Sequence, residues 1–325
     1  MNKIGLWLFV LALLVGNFSL AQKDSTQVEA IYNLSLEDLM NTRVTSASKS
    51  SESLQDAPAV ISVITSKEIE GYGALTLVDV LNRATALYIT GSYYFPNNLA
   101  AMRGDAQTHT TSHVLILLDG RPCRESFYGG IDLVIFNAFP LSAIDHIEII
   151  RGPGSILYGT NAFSGVINII SKQSEENSVN VSSRLGSFGT GTIAFHQSSF
   201  YKGLKIATDA QYMSQKGWDF SAVDQNGMYK STKYGQENIG VNLSASYKNL
   251  TLRTFYGNSY RDIFGDKPIW PTDGTFNTLN TYRGFVDLGY HHVFSTKWNS
   301  TFNGTFNSFA QRSIRDLRPV DFWLQ

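Results

Sequence analysis

The sequence is short of cysteine, of charged residues and of long apolar runs. Its one cysteine, Cys123, cannot form an intramolecular disulfide, which excludes a scaffold held by such bridges. Charged residues make up 16% of the chain, below the roughly 25% of ordinary soluble domains. The net charge of −1 gives no electrostatic reason to expect nucleic acid as a partner. No run approaches the roughly 20 apolar residues that a membrane-spanning helix needs.

The N-terminus has the pattern of an export signal. Lys3 is followed by an apolar run over residues 4–15 and then by the small-x-small sequence Ser19, Leu20, Ala21. This pattern predicts a secretory signal peptide over residues 1–21, so the mature protein is expected to be exported. Residues 22–54 are polar, and we expect them to form an arm with one short helix near residues 36–40.

Residues 55–172 show mixed helical and strand periods. The segment "VISVIT" at 60–65 predicts a buried strand, as do Val114–Leu118, 147–150 and 166–170. Thr76 is a predicted N-cap with Asp79 at the third helical position, followed by an apolar stripe. These elements predict an α+β unit with a core of its own.

After residue 172 the helical period ends, and apolar and polar residues alternate along the chain. Antiparallel strands are predicted at about 178–185, 191–199, 204–214, 239–247, 250–261, 281–293 and 298–310. A soluble β-sandwich would alternate in the same way. Two features favour a membrane barrel instead: short and long connections alternate, and aromatic residues lie toward the strand ends, namely Tyr212, Tyr247, Tyr256, Tyr260, Tyr290 and Trp298.

A glycine-rich segment, "IEIIRGPGSILYGTNAFSG" at 147–165, raises the possibility of a phosphate-binding loop. The lysine of such loops is missing after Gly159, and Pro153 removes a backbone donor, so a structural role for the glycines is favoured. The six histidines show no metal-ligand spacing, and Gly-x-Ser-x-Gly is absent. We therefore predict no enzyme activity and no metal site.

Four segments in order resemble the TonB-dependent outer-membrane receptors: "APAVISVIT", "MRGD", "VLILLDGRP" and "IEIIRGPGSILYGTNAFSGVINII". The resemblance implies an α+β plug domain at 55–172, followed at 173–325 by antiparallel transmembrane β-barrel strands in the Gram-negative outer membrane. About seven strands of an expected 22 are present, so we expect an incomplete chain. The resemblance assigns structural roles in the plug to Arg103, Gly104, Asp119, Gly120, Glu148, Arg151, Gly152, Pro153, Gly154, Tyr158, Gly159 and Gly165.

The resemblance also implies a TonB box, a mobile strand donor for the periplasmic protein TonB, and "NTRVTSAS" at 41–48 fits it. The residues assigned to the box are Thr42, Arg43, Val44, Thr45, Ser46 and Ala47. The segment departs from the family pattern at Asn41, where an acidic residue is common, and at Thr45, where a second valine is common.

The implied function is energised uptake of a metal-chelate cargo, with TonB and membrane lipid as partners and no cofactor beyond the cargo. A ferric siderophore is the expected cargo; a cobalamin or haem receptor and a non-transporting adhesin or structural barrel are the alternatives. Two aromatic loops at 91–98 and 124–130 are candidates for cargo contact through Tyr93, Tyr94, Phe127 and Tyr128. Packing of these four side chains against the barrel wall is an equal alternative.

Overall fold

The computed structural model describes residues 43–44, 46, 52–53, 59–91, 97–105, 107, 111–124, 129–130, 133–173, 176–223, 227, 229–262, 278–295 and 298–314. The signal peptide, the helix expected near 36–40 and the four candidate cargo-contacting aromatics lie outside these residues. No described helix is long and apolar enough to cross a bilayer.

The first part of the chain is built around a five-stranded mixed sheet in the order β3-β8-β9-β6-β7. Its strands are β3 (Ile61–Thr65), β6 (Val114–Leu118), β7 (Arg121–Pro122), β8 (Ile144–Arg151) and β9 (Gly165–Ser171). Two smaller antiparallel pairs belong to the same part of the chain. One joins β4 (Leu87–Thr90) to β5 (Leu99–Met102), and the other joins β1 (Arg43–Val44) to β2 (Glu52–Ser53). The strands predicted at 60–65, 114–118, 147–150 and 166–170 are thereby confirmed, with longer bounds for the last two.

Four short helices accompany this sheet: α1 (Ser66–Gly71), α2 (Leu77–Leu81), α3 (Leu133–Ala138) and α4 (Ser155–Tyr158). The predicted cap of α2 is confirmed, because the Asp79 carboxylate accepts the backbone N–H of Thr76 at 3.0 Å. One face of the sheet packs with α2 and α3 in a large apolar core. The other face carries a smaller apolar cluster that includes Leu117, Ile150 and Val166, together with the buried polar residues Glu148 and Asn168.

Seven antiparallel strands form a second sheet, which we call the wall, in the order β10-β11-β12-β15-β16-β17-β18. Their bounds are Ser178–Gly186, Thr190–Tyr201, Leu204–Gln215, Gln236–Tyr247, Leu250–Asp262, Thr278–Ser295 and Trp298–Ile314. All seven predicted strands are confirmed. A further hairpin, β13 (Asp219–Val223) with β14 (Tyr229–Lys233), lies within the long connection after the third wall strand, where the sequence predicted none.

The two faces of the wall differ as the alternation predicts. Along β16, Phe255 and Ser259 are buried on the inner face while Tyr256 and Tyr260 are exposed on the outer one. The six aromatics predicted near strand ends are all exposed. The outer face is therefore apolar and aromatic, and the described residues leave it uncovered, as a lipid-facing surface requires.

Candidate functional site

Ser46 lies against the strand β8 of the glycine-rich motif, and Val44 and Ser46 are completely buried. The Ser46 backbone N–H donates to Glu148 Oε2 at 2.8 Å, and its hydroxyl donates to the same oxygen. Asn168 Nδ2 donates to Ser46 Oγ at 2.8 Å, and the Tyr158 hydroxyl donates to the Ser46 carbonyl at 2.8 Å. One serine thus satisfies three side chains of β8, α4 and β9.

This arrangement differs from the expectation of a free segment. The expectation assumed that polar flanks offer no core to pack on, but Glu148 and Asn168 form a polar recess on an otherwise apolar sheet face. A buried carboxylate needs hydrogen-bond donors, and Ser46 supplies two of them. Thr42, Thr45 and Ala47 lie outside the described residues, so the assignment of the box itself stays a prediction.

A histidine compensates the buried carboxylate of Glu148. His146 Nε2 donates to Glu148 Oε1 at 3.2 Å, and its Nδ1 lies 2.6 Å from Asp145 Oδ2. Burial opposes a charge on His146, but the hydrogen bonds with Asp145 and Glu148 outweigh it and raise the pKa of His146 to about 9. The hydrogen bond from His146 lowers the pKa of Asp145. At neutral pH a histidinium therefore bridges two carboxylates beside Ser46.

The resemblance assigned Glu148 a structural role in the plug without naming its partners. The structure gives it His146 and Ser46 as partners at 1% exposure. The sequence signal that could have indicated this is the alternation along β8, which points Glu148 toward the same face as the apolar Ile150.

The glycines of the motif fall at turns and close contacts. Gly152 and Gly159 have φ of 150° and 73°, a region that side chains rarely occupy. A Cβ on Gly165 would collide with the Met102 sulfur, and one on Gly154 would lie 2.7 Å from Val166 Cγ2. This geometry supports the structural interpretation of the motif.

Helix α3 fastens the first part of the chain to the wall. All six of its residues are buried, and the adjoining Phe139 packs on Phe255 of β16 with ring centroids 5.4 Å apart. The wall presents glycines where the helix comes closest: a Cβ on Gly240 would collide with the Ala138 carbonyl, and one on Gly257 would lie 2.6 Å from Val134.

Charged side chains join the plug sheet to the wall at the C-terminal end of β6. Asp119 Oδ2 lies 3.1 Å from Arg253 Nε of β16, and Arg253 Nη1 lies 3.9 Å from Asp287 Oδ2 of β17. Asp119 also accepts the Ser171 N–H and hydroxyl, each at 2.8 Å. An open cavity of about 630 Å³ connects this cluster with the Ser46 recess, since Asp119, Arg253, Tyr158 and Asn168 all line it.

The bases of the two candidate cargo loops are held together by Thr111. Its backbone N–H donates to the Gly130 carbonyl at 3.0 Å, and its hydroxyl donates to the Asn98 carbonyl. The C-terminal ends of the two loops therefore lie together, at the end of β6 away from Asp119. The role of their aromatic residues stays a prediction.

Comparison with known proteins agrees with this architecture. Residues 53–166 match the model of the TonB-dependent Receptor Plug Domain family. The vitamin B12 transporter BtuB of Photobacterium profundum is 27% identical over 291 residues, which are 86% of this chain and 46% of that protein. BtuB of Vibrio vulnificus is 30% identical over 221 residues, 67% of this chain and 34% of that protein. The chain thus spans less than half the length of these relatives.

Solved structures show the same fold. The pyoverdine outer membrane receptor FpvA of Pseudomonas aeruginosa superposes with a TM-score of 0.63 at 16% identity, covering 83% of this chain and 40% of that one. The siderophore receptor PiuA of Acinetobacter baumannii gives 0.61 at 17% identity, covering 86% and 40%. The chain carries the plug domain of the TonB-dependent receptor family, whose members are outer-membrane proteins.

Proposed function

We propose that this protein takes up a scarce metal-centred nutrient across the outer membrane, with energy delivered by TonB. The observation that carries the proposal is a difference in strength between two contacts of the plug, that of α3 with the wall and that of Ser46 with the plug sheet. Helix α3 fixes the plug to the wall through apolar packing, whereas Ser46 is held by a few hydrogen bonds. A strand-prone segment held in this way can leave the plug and add to the sheet of a partner protein.

The proposed cargo is cobalamin, because the BtuB proteins that this chain resembles in sequence are vitamin B12 transporters. The ferric siderophore that we expected from the sequence is the second candidate. It is favoured by the arginines on the inner wall, Arg261 and Arg283, since iron chelates commonly present anionic oxygen atoms.

Uptake in a receptor-deficient host separates these cargoes. The gene that encodes this chain is expressed in a Gram-negative strain that lacks its own cobalamin and siderophore receptors. Uptake of labelled cobalamin that requires TonB supports the first candidate, and uptake of a labelled ferric chelate supports the second. Deletion of residues 41–48 should abolish uptake and leave cargo binding at the cell surface intact. Uptake that persists without TonB, or without these residues, would refute the proposal.

A further inference from the structure

One polar row crosses four neighbouring strands on the inner face of the wall. Asn238 of β15 pairs with Ser259 of β16, which pairs with Thr281 of β17, and Thr281 pairs with Gln311 of β18. We call these four residues the wall row. Asn238, Ser259 and Thr281 are 2%, 1% and 0% exposed.

The wall row is incompletely hydrogen-bonded. The Ser259 hydroxyl donates to Asn238 Oδ1 at 2.7 Å. Asn238 Nδ2, Thr281 Oγ1 and Gln311 Oε1 are buried and have no hydrogen-bond partner in the part of the chain that the structure describes. Each such group costs about 1–3 kcal/mol. Native proteins rarely retain unsatisfied groups without a functional reason, and here three lie in one line.

The wall row lies between the plug helix and the long connections of the wall. On one side the next inward positions are Gly240 and Gly257, the glycines against which α3 packs. On the other side Arg261 donates to Gln236 at 2.9 Å, next to the ends of β15 and β16 that lead into the long connections. A molecule that enters past those connections and moves along the wall would reach the wall row directly before α3.

The described residues of the plug do not supply the missing partners. Helix α3 is apolar except for Asn137, whose Nδ2 donates to its own Leu133 carbonyl at 2.8 Å. The unsatisfied Asn238 and Thr281 groups can both donate, and guanidinium groups of Arg261 and Arg283 belong to the neighbouring inward positions. The inner wall therefore presents hydrogen-bond donors to whatever replaces the helix.

We propose that the wall row is a transit site, which binds oxygen atoms of the cargo once α3 has moved away from the wall. This inference rests on the proposed uptake function. The chemistry that it recognises is an acceptor oxygen, either a carboxylate, hydroxamate or catecholate of an iron chelate or an amide carbonyl of a corrinoid. Because the wall row is sealed in this state of the protein, it acts in transport and not in the first binding of cargo.

The variants Asn238→Leu and Thr281→Val test this transit site in the receptor-deficient host, with both labelled cargoes as separate arms. Loss of one cargo hydrogen bond should reduce the uptake rate about fivefold in each variant. Surface affinity for the cargo should not change. The melting temperature of Thr281→Val should stay the same or rise, because an unsatisfied buried hydroxyl is replaced by a methyl group. That of Asn238→Leu should fall slightly, because this variant also removes the acceptor of the Ser259 hydroxyl.

Thr254→Val is the matched control, since Thr254 lies on the outer face of β16, opposite Val286. This variant should take up cargo at the normal rate. Normal uptake by both wall-row variants would overturn the transit site, as would a loss of uptake that follows a loss of folded protein. Absence of uptake by the unaltered protein in both arms would instead refute the proposed function.

Discussion

Removal of the Ser46 hydroxyl should release residues 43–46 from the plug without unfolding it. In Ser46→Ala the backbone N–H can still donate to Glu148, and Tyr158 can still donate to the Ser46 carbonyl. Two hydrogen bonds disappear: the one from the hydroxyl to Glu148 and the one from Asn168 Nδ2 to the hydroxyl. The Asn168 amide, in a residue that is 2% exposed, then faces a methyl group.

The size of the effect follows from these losses. A net hydrogen bond contributes about 1 kcal/mol, and a stranded buried amide costs about 1–3 kcal/mol. Together they weaken docking by about 2–4 kcal/mol, which raises the undocked population roughly 30- to 900-fold. The apolar core around α3 does not contact Ser46, so global stability should change little.

Hydrogen exchange of backbone amides measures this local opening. The Ser46 amide should exchange faster by the same factor in Ser46→Ala, while amides of β9 and α3 should keep their protection. Ser183→Ala, on the exposed strand β10, is the control for loss of a serine hydroxyl. Unchanged exchange at residue 46, or faster exchange throughout the plug, would refute the reasoning.

Three further predictions concern the contacts around this site. Because the pKa of His146 is raised from 6.5 to about 9, its stabilisation is complete below pH 6.5 and is lost as pH rises to 9 and above. The melting temperature in detergent should fall over that range, and His146→Gln should flatten the profile; a parallel decline in both proteins would contradict it. Gly240→Val should collide with the Ala138 carbonyl and destabilise the protein by about 1–3 kcal/mol or more in denaturant titration. Gly304→Ala, whose Cβ would lie 3.9 Å from Phe302, should be tolerated, and equal stability of the two variants would argue against this packing. Arg253→Met leaves Asp119 and Asp287 without their cation and should cost about 3–5 kcal/mol in the same titration, whereas Met at the exposed Arg312 should have little effect. A stability of Arg253→Met close to that of the unaltered protein would show that the cluster is fully hydrated.

Local signals in the sequence were sufficient for most of the fold. The cap of α2 needs only Thr76 and Asp79, which are three residues apart, and each wall strand shows its own alternation. The hairpin β13–β14 was missed because its second strand, "YKSTK", is short and polar and has no apolar face to indicate a strand. The wall was predictable because each of its strands repeats the alternation of apolar and polar residues. Strand β14 of the hairpin lacks that alternation.

The contacts of the candidate site depend on residues far apart in the chain. Ser46 and Glu148 are separated by 102 positions, and Ser46 and Asn168 by 122. No periodicity within one segment carries such pairings. The same holds for Arg253, which was one of many charged residues on a predicted strand until the fold placed it beside Asp119. Glu148 was selected from the motif, but its partners could be found only in three dimensions.

The energies of these contacts decide the order in which the plug can move. Four apolar side chains on α3 and its C-terminal flank, Val134, Ile135, Phe136 and Phe139, are fully buried in a core shared with wall residues Phe255 and Phe285. At about 1.5–3 kcal/mol each, their burial contributes on the order of 6–12 kcal/mol. The hydroxyl of Ser46 contributes about 2–4 kcal/mol to docking, and the neighbouring α4 leaves Ile156 completely exposed. A pull on the N-terminal arm therefore acts first on the Ser46 recess and reaches α3 only after that recess has opened. Because the wall row lies directly beside α3, cargo would meet its unsatisfied donors in the last and most costly step, where a few hydrogen bonds to cargo offset part of the lost packing.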